Sequence, residues 1–175
     1  MEQGGEQSLE EILDEILRLY PQTVSFSRTD AETLHQLVDT LTVVALTTNL
    51  LAVRRFGGRL GPQRSRGLVE QVIGAAFQTF AGEDPHPHPF QKAAMLLRGI
   101  TQGHPFSDGN KRTGFMVAMY YLGQMGFRAP RPLPRRKVVE FCIEISAGSV
   151  RDVDAIARRL CDLWDCPHPP KAGPD

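Results

Sequence analysis

The spacing of the apolar residues restricts the fold of this chain most: they return every three or four positions in stretch after stretch, while strict alternation is nearly absent. Leu9, Ile12, Leu13, Ile16 and Leu17 make one stripe, opened by Ser8-Leu9-Glu10-Glu11 in the pattern of a capping box and closed by Pro21. Leu34, Leu37, Val38, Leu41, Val44, Ala45, Thr48 and Leu51 make a longer one, which predicts a core helix from Asp30 to about Val53 with Thr29 or Asp30 as its cap. Gly67 to Phe80 predicts a third helix, with Leu68, Val72, Ile73, Ala76, Phe77 and Phe80 turned inward. A fourth is expected over Pro89 to Gln102, with Ala93, Ala94, Leu96, Leu97 and Ile100 inward. The run Thr113 to Gly126 is apolar nearly all round, as suits a helix at the centre of a bundle. Two more helices, Arg136 to Ala147 and Val150 to Trp164, complete an all-α bundle. One segment breaks the pattern. Phe56 to Arg66 holds three glycines, one proline and Arg59, Arg64 and Arg66, the composition of a loop or small hairpin, termed the flap below.

A chain of 175 residues suits one domain with one sizeable core. The expected division is an N-terminal extension carrying a short acidic helix (1–28), the domain proper (29–165) and a disordered tail (166–175) that begins at Cys166-Pro167-His168-Pro169-Pro170. Lys and Arg together number 20, as do Asp and Glu, so no global charge draws the protein to nucleic acid or a membrane surface. No apolar run approaches the roughly 18 residues that a membrane span needs. The Glu- and Gln-rich start lacks the basic and apolar regions of a secretory signal, and three cysteines without paired spacing fit a reducing compartment; a cytoplasmic location is expected. Cys161, Cys166 and His168 lack a fourth ligand for zinc, and His86 and His88, alternating with prolines, read as a loop.

Chemistry concentrates in His104-Pro105-Phe106-Ser107-Asp108-Gly109-Asn110-Lys111-Arg112, directly before the most apolar helix. The free N–H groups of a helix start, with its positive dipole end, bind phosphate, and Gly109 lets the backbone approach the anion. Asp108 can hold Mg²⁺ through one oxygen when nucleotide phosphates supply others, although Asp is also a favoured helix cap. His104, just outside the helix, can accept a proton near neutral pH. Arg112 offers a forked cation to phosphate and Lys111 a point charge. Phe106, a phenyl ring between functional residues, reads as an anchor for the loop.

This segment resembles the HPFx(D/E)GN(G/K)R signature of the Fic/Doc family at every fixed position, and the resemblance extends from about Asp30 to Leu160. Arg55-Phe56-Gly57-Gly58, Gly67-Leu68-Val69-Glu70 and Phe80-Ala81-Gly82-Glu83-Asp84 are similar to its death-on-curing branch. The resemblance implies a Fic-fold helical bundle using Mg²⁺ and ATP as substrate, with His104 as general base toward a target Ser, Thr or Tyr hydroxyl. It assigns Mg²⁺ to Asp108, the anion hole to Gly109 and Asn110, and another phosphate to Arg112. AMP-transferring members carry glycine where this chain has Lys111, whereas the Doc branch carries lysine and acts as a protein kinase. The expected activity is therefore phosphoryl transfer from Mg-ATP to a hydroxyl of a cytoplasmic protein, as a toxin. The branch's known target is the translation factor elongation factor Tu. Flap residues Gly57, Gly58, Arg59 and Arg64 would position the target by main-chain pairing, and Arg55-Phe56 could stack a nucleotide ring.

An inhibitory (S/T)xxxE(G/N) helix has no clean match: Thr79 to Glu83 has the spacing but Asp84 follows. A separate antitoxin partner is the expectation. Glu10, Glu11, Asp14 and Glu15 lie on the wet side of the first helix, which reads as a packing element or a regulatory one. Two rivals stand beside the kinase reading: transfer of AMP or another nucleotidyl group, and a catalytically silent adaptor that binds nucleotide or a partner. Nucleic-acid binding through Arg128, Arg131, Arg135, Arg136 and Lys137 lacks stacking aromatics, so that segment reads as a solvated basic loop.

Overall fold

The apolar stripes become helices packed around the motif helix. The structure is a computed structural model describing residues 6–21, 31–61 and 65–170. Its described elements are α1 (Glu6–Leu19), α2 (Ala31–Phe56), α3 (Arg66–Gly74) with a following 3-10 turn (Ala75–Phe77), α4 (Pro89–Gly103), α5 (Asn110–Gln124), α6 (Arg135–Ser146) and α7 (Val153–Trp164). The all-α expectation holds. α5 sits at the centre, against α4, α2, α1 and α6. Phe115 through Leu122 are all buried, which is why its sequence shows no polar face. A Cβ on Gly114 would meet Thr101 Oγ1 at 2.9 Å and the Leu97 carbonyl at 3.0 Å, so glycine is what lets α4 and α5 approach this closely.

By length and composition α2 could cross a membrane, yet half of its most apolar window is buried inside the protein, where it packs on α1, α3 and α5. Buried Thr42, Thr48 and Asn49 belong to a core helix; Thr42 returns its hydroxyl to the Val38 carbonyl at 2.7 Å.

Several sequence expectations need correction. The third helix does not run to Phe80. Ser65 caps α3 by accepting the Leu68 N–H, the helix tightens to a 3-10 turn at Ala75, and Gln78 is extended. Phe80, expected inward, is 69% exposed, because its N–H and carbonyl pair with Glu83 across a turn that has positive φ at Ala81 and Gly82. Leu34 is also exposed. His88 is more than loop. Its ring accepts the Phe90 N–H while Gln91 Oε1 accepts the His88 N–H, a capping box for α4, and burial lowers the histidine's pKa.

The first helix, read from the sequence as a packing element or a regulatory one, packs its apolar face into the core. Leu9, Ile12, Leu13 and Ile16 are buried against α2 and α5. Its acidic residues reach specific partners: Glu11 pairs with Arg55, Asp14 with Arg131, and Glu10 Oε1 accepts the Leu133 N–H at 2.8 Å. Nor is the tail loose from 166. Gln91 Nε2 donates to the Pro170 carbonyl at 3.2 Å, and His168 Nε2 lies 2.7 Å from Asp162 Oδ1. The Cys166 thiol donates to the Cys161 carbonyl at 3.7 Å. Thr29 and Asp30, the expected caps of α2, fall outside the described residues, as do 171–175.

Candidate active site

α4 ends at His104, whose left-handed backbone (φ 45°, ψ 52°) turns the chain and leaves the residue exposed at the helix end. A non-glycine residue in this region is uncommon, although histidine tolerates it better than most, and such conformations gather at functional sites. Phe106 is 1% exposed. Its buried ring packs into the core beneath the loop. Asn110, the first residue of α5, closes a ring with it: Asn110 Oδ1 accepts the Phe106 N–H at 3.0 Å and Asn110 Nδ2 donates to the Phe106 carbonyl at 2.9 Å. The Asn110 amide therefore clamps the loop. What Asn110 offers an anion is its backbone N–H. Together with those of Lys111 and Arg112 it opens α5, where N–H groups have no intrahelical acceptor.

Asp108 does not cap α5. The cap position is Gly109, in left-handed conformation (φ 76°) and without a side chain to bond. Asp108 Oδ1 instead accepts the Gly109 N–H at 2.7 Å. Its other oxygen lies so close to Gly58 that a Cβ there would stand 2.5 Å from it, at a φ of 128° that side chains rarely adopt. Gly58 is thus doubly required, and it brings the flap against the one carboxylate of the motif. An exposed carboxylate with one oxygen engaged and one available fits Mg²⁺ shared with nucleotide phosphates. Among the described residues no group of three or more His, Cys, Asp or Glu could hold a metal by itself, so Asp108 would hold the ion with the substrate supplying further oxygens.

One residue that the sequence reading missed fixes this loop from below. Asn49 of α2, 1% exposed, donates from Nδ2 to the Asp108 carbonyl at 2.7 Å and to Thr113 Oγ1 at 3.1 Å. Its signal was an amide among apolar residues of a core helix, a group that is buried only when hydrogen-bonded. The flap adds one main-chain bond, from the Ser107 N–H to the Gly61 carbonyl at 3.3 Å. Residues 57–61 form no strand; Arg59 is exposed, and Arg64 lies outside the described residues.

Phe56 ends α2 with its ring 4.4 Å from the Arg112 guanidinium carbon. The ring orients Arg112 by cation–π contact, while Arg55 is turned to Glu11, so neither is left to stack a nucleotide as a pair. Lys111 pairs with no carboxylate among the described residues.

These residues share a cavity of about 530 Å³. His104, Asp108, Gly109, Asn110, Lys111 and Arg112 form one wall. Arg135, Val138, Val139, Cys142 and Ile143 of α6 form another, with Leu9 of α1 and Phe56 at the margin. Burial pushes the Cys142 thiol up to about 12, with Lys111 opposing, so it is a protonated, apolar part of the wall and not a nucleophile. Gly57 and Arg59 do not line the cavity.

Residues 25–122, more than half of the chain, match the Fic/DOC family. This chain belongs to the Fic/Doc family. It is 30% identical over 105 residues, covering 60% of this chain and 79% of the relative, to Toxin Doc of Mycolicibacterium smegmatis (strain ATCC 700084 / mc(2)155). No solved structure matches the chain. The Fic/Doc match contains α2 to α4, the motif wall and α5 as far as Leu122; α1, α6 and α7 lie outside it, and with them the α6 wall of the cavity.

Proposed function

We propose that this Fic/Doc protein is a toxin-type transferase that moves the γ-phosphoryl group of Mg-ATP to a hydroxyl side chain of a target protein. The observation that carries the reading is one cavity where exposed His104, a half-committed Asp108, the open start of α5 and Lys111, which pairs with no carboxylate among the described residues, meet. Family membership and the likeness to a protein named Toxin Doc support it.

The hydroxyl of a target Ser, Thr or Tyr is too weakly acidic to attack unaided near pH 7. His104 takes its proton as the hydroxyl oxygen forms a bond to the γ-phosphorus, and the bond from that phosphorus to the bridging oxygen breaks to release ADP. Asn110, Lys111 and Arg112 aim backbone N–H groups at the phosphates, and the Lys111 ammonium and Arg112 guanidinium neutralise charge that spreads onto them. Held through Asp108, Mg²⁺ would supply further neutralisation of the polyphosphate. Lys111 occupies space beside the helix start and favours the orientation in which the γ-phosphate faces His104. A toxin of this kind requires restraint, and the likeness to a protein named Toxin Doc supports assigning that restraint to an antitoxin protein.

The test is incubation of the protein and Mg²⁺ with bacterial lysate and ATP labelled at the α- or the γ-phosphate. His104-dependent label on protein from γ-labelled ATP alone is expected. Label from α-labelled ATP would make the protein a nucleotidyl transferase, and no label from either would remove the ATP-dependent reading.

A further inference from the structure

Five cations crowd the segment 128–137, and the structure separates them. Arg131 is held by Asp14 and Arg136 by Glu140. Arg128 is exposed, and Lys137 lines a separate shallow depression with Glu140 and Arg159. Arg135 alone lines the active-site cavity, half-buried and paired with no carboxylate among the described residues. It is also firmly placed. Its N–H donates to the Leu133 carbonyl at 2.8 Å, Leu133 is buried, and the Leu133 N–H is held in turn by Glu10 of α1.

The cavity therefore collects Lys111, Arg112 and Arg135 against the single carboxylate of Asp108. Along α6, Val138, Val139, Cys142 and Ile143 follow Arg135 on the same cavity-facing side, so its guanidinium stands beside an apolar wall. Cations that converge without counter-charges are unfavourable until an anion enters, and a planar fork matches phosphate oxygens two at a time. The geometry points to Arg135 as a substrate-contacting residue that grips the polyphosphate of the nucleotide from the α6 wall of the cavity it shares with the motif. This rests on the proposed function above and adds to it: nucleotide affinity would depend on a residue outside the family match, held in place by the N-terminal helix.

The experiment is titration calorimetry of the full chain with Mg-ATP, comparing the unsubstituted protein, Arg135→Gln, Arg135→Lys and, as a control on the same segment, Arg136→Gln. Arg135→Gln is expected to raise Kd about tenfold, the scale of one charge-assisted hydrogen bond. Arg135→Lys should recover part of that loss and Arg136→Gln should bind as the unsubstituted protein does, all with unchanged unfolding midpoints. A Kd for Arg135→Gln within twofold of the unsubstituted value overturns the assignment and leaves the proposed function standing. A loss that Arg135→Lys does not relieve and that accompanies a lowered midpoint also overturns it, since the residue would then be structural. If the unsubstituted protein binds no Mg-ATP, the proposed function falls and the role of Arg135 falls with it.

Discussion

The two walls of the cavity are built in opposite ways. The motif wall, His104 to Arg112, is a short continuous segment whose chemistry is contiguous in the chain, and its geometry is held by local devices such as the Asn110 clamp on Phe106. The α6 wall is assembled across distance: Arg135 stands where it does because Glu10, far earlier in the chain, holds Leu133. Under the proposed function the motif wall would carry proton transfer and phosphate contact at the reacting end, and the α6 wall would shape and charge the space the rest of the substrate enters. Changes on the first should therefore strike turnover, and changes on the second affinity or stability.

The strongest attack on that division is His104→Ala. Transfer of labelled phosphate should fall by about 10²–10⁴-fold, the usual worth of a positioned base, while the urea unfolding midpoint stays put; full activity in this variant would remove the base assignment. Asn49→Ala tests whether the motif wall truly stands alone, because α2 supports it from beneath. Leaving the Asp108 carbonyl and Thr113 hydroxyl without their buried donor should cost about 1–3 kcal/mol in urea unfolding, and a neutral result would mean the loop holds itself. Lys111→Gly should reduce γ-phosphoryl transfer by about tenfold, one charged contact, and shift label toward the α-phosphate. Unchanged γ-transfer would show that Lys111 does not set orientation. Glu10→Ala should cost about 1 kcal/mol and weaken Mg-ATP binding without changing the turnover of saturated enzyme, whereas a turnover defect would join the two walls into one unit.

The smallest effect is a pH dependence of the α6 wall. Cys142 keeps its proton in the fold to about 12, above the ordinary 9.0. Its contribution to stability is then fully present below about pH 9 and lost as pH rises toward 12, because the unfolded chain releases a proton that the folded chain retains. Urea midpoints measured between pH 8 and 10.5 should decline less steeply for Cys142→Ala than for the unsubstituted chain. Equal slopes would mean that the thiol is already titrating in the native protein.

Much of the helical architecture could be read from the chain because burying an apolar stripe of helical period leaves few alternatives. The C-terminal ends of α4 and α5 agree with the spacing to within a residue or two. The misses have local causes. Phe80 fitted the helical period, yet the Phe80–Glu83 turn demanded extended backbone and put its ring in solvent. His88 read as loop because it alternates with prolines, yet its ring nitrogen accepts the Phe90 N–H and caps a helix. The motif alone does not show that the Asn110 amide is spent on the Phe106 backbone.

The sequence by itself determined the all-α class, the central place of the motif helix and the chemical identity of the motif wall, since periodicity and a contiguous motif are both local and need no long-range contact to be read. Only the tertiary structure decided that α1 packs on α2 and α5, that Asn49 holds the motif loop, that Gly58 lies against Asp108 and that Arg135 alone among the basic segment lines the cavity. Each of these is a meeting between residues distant in the chain. Their encounter is set by how helices pack, a property of the whole bundle that no window of sequence contains.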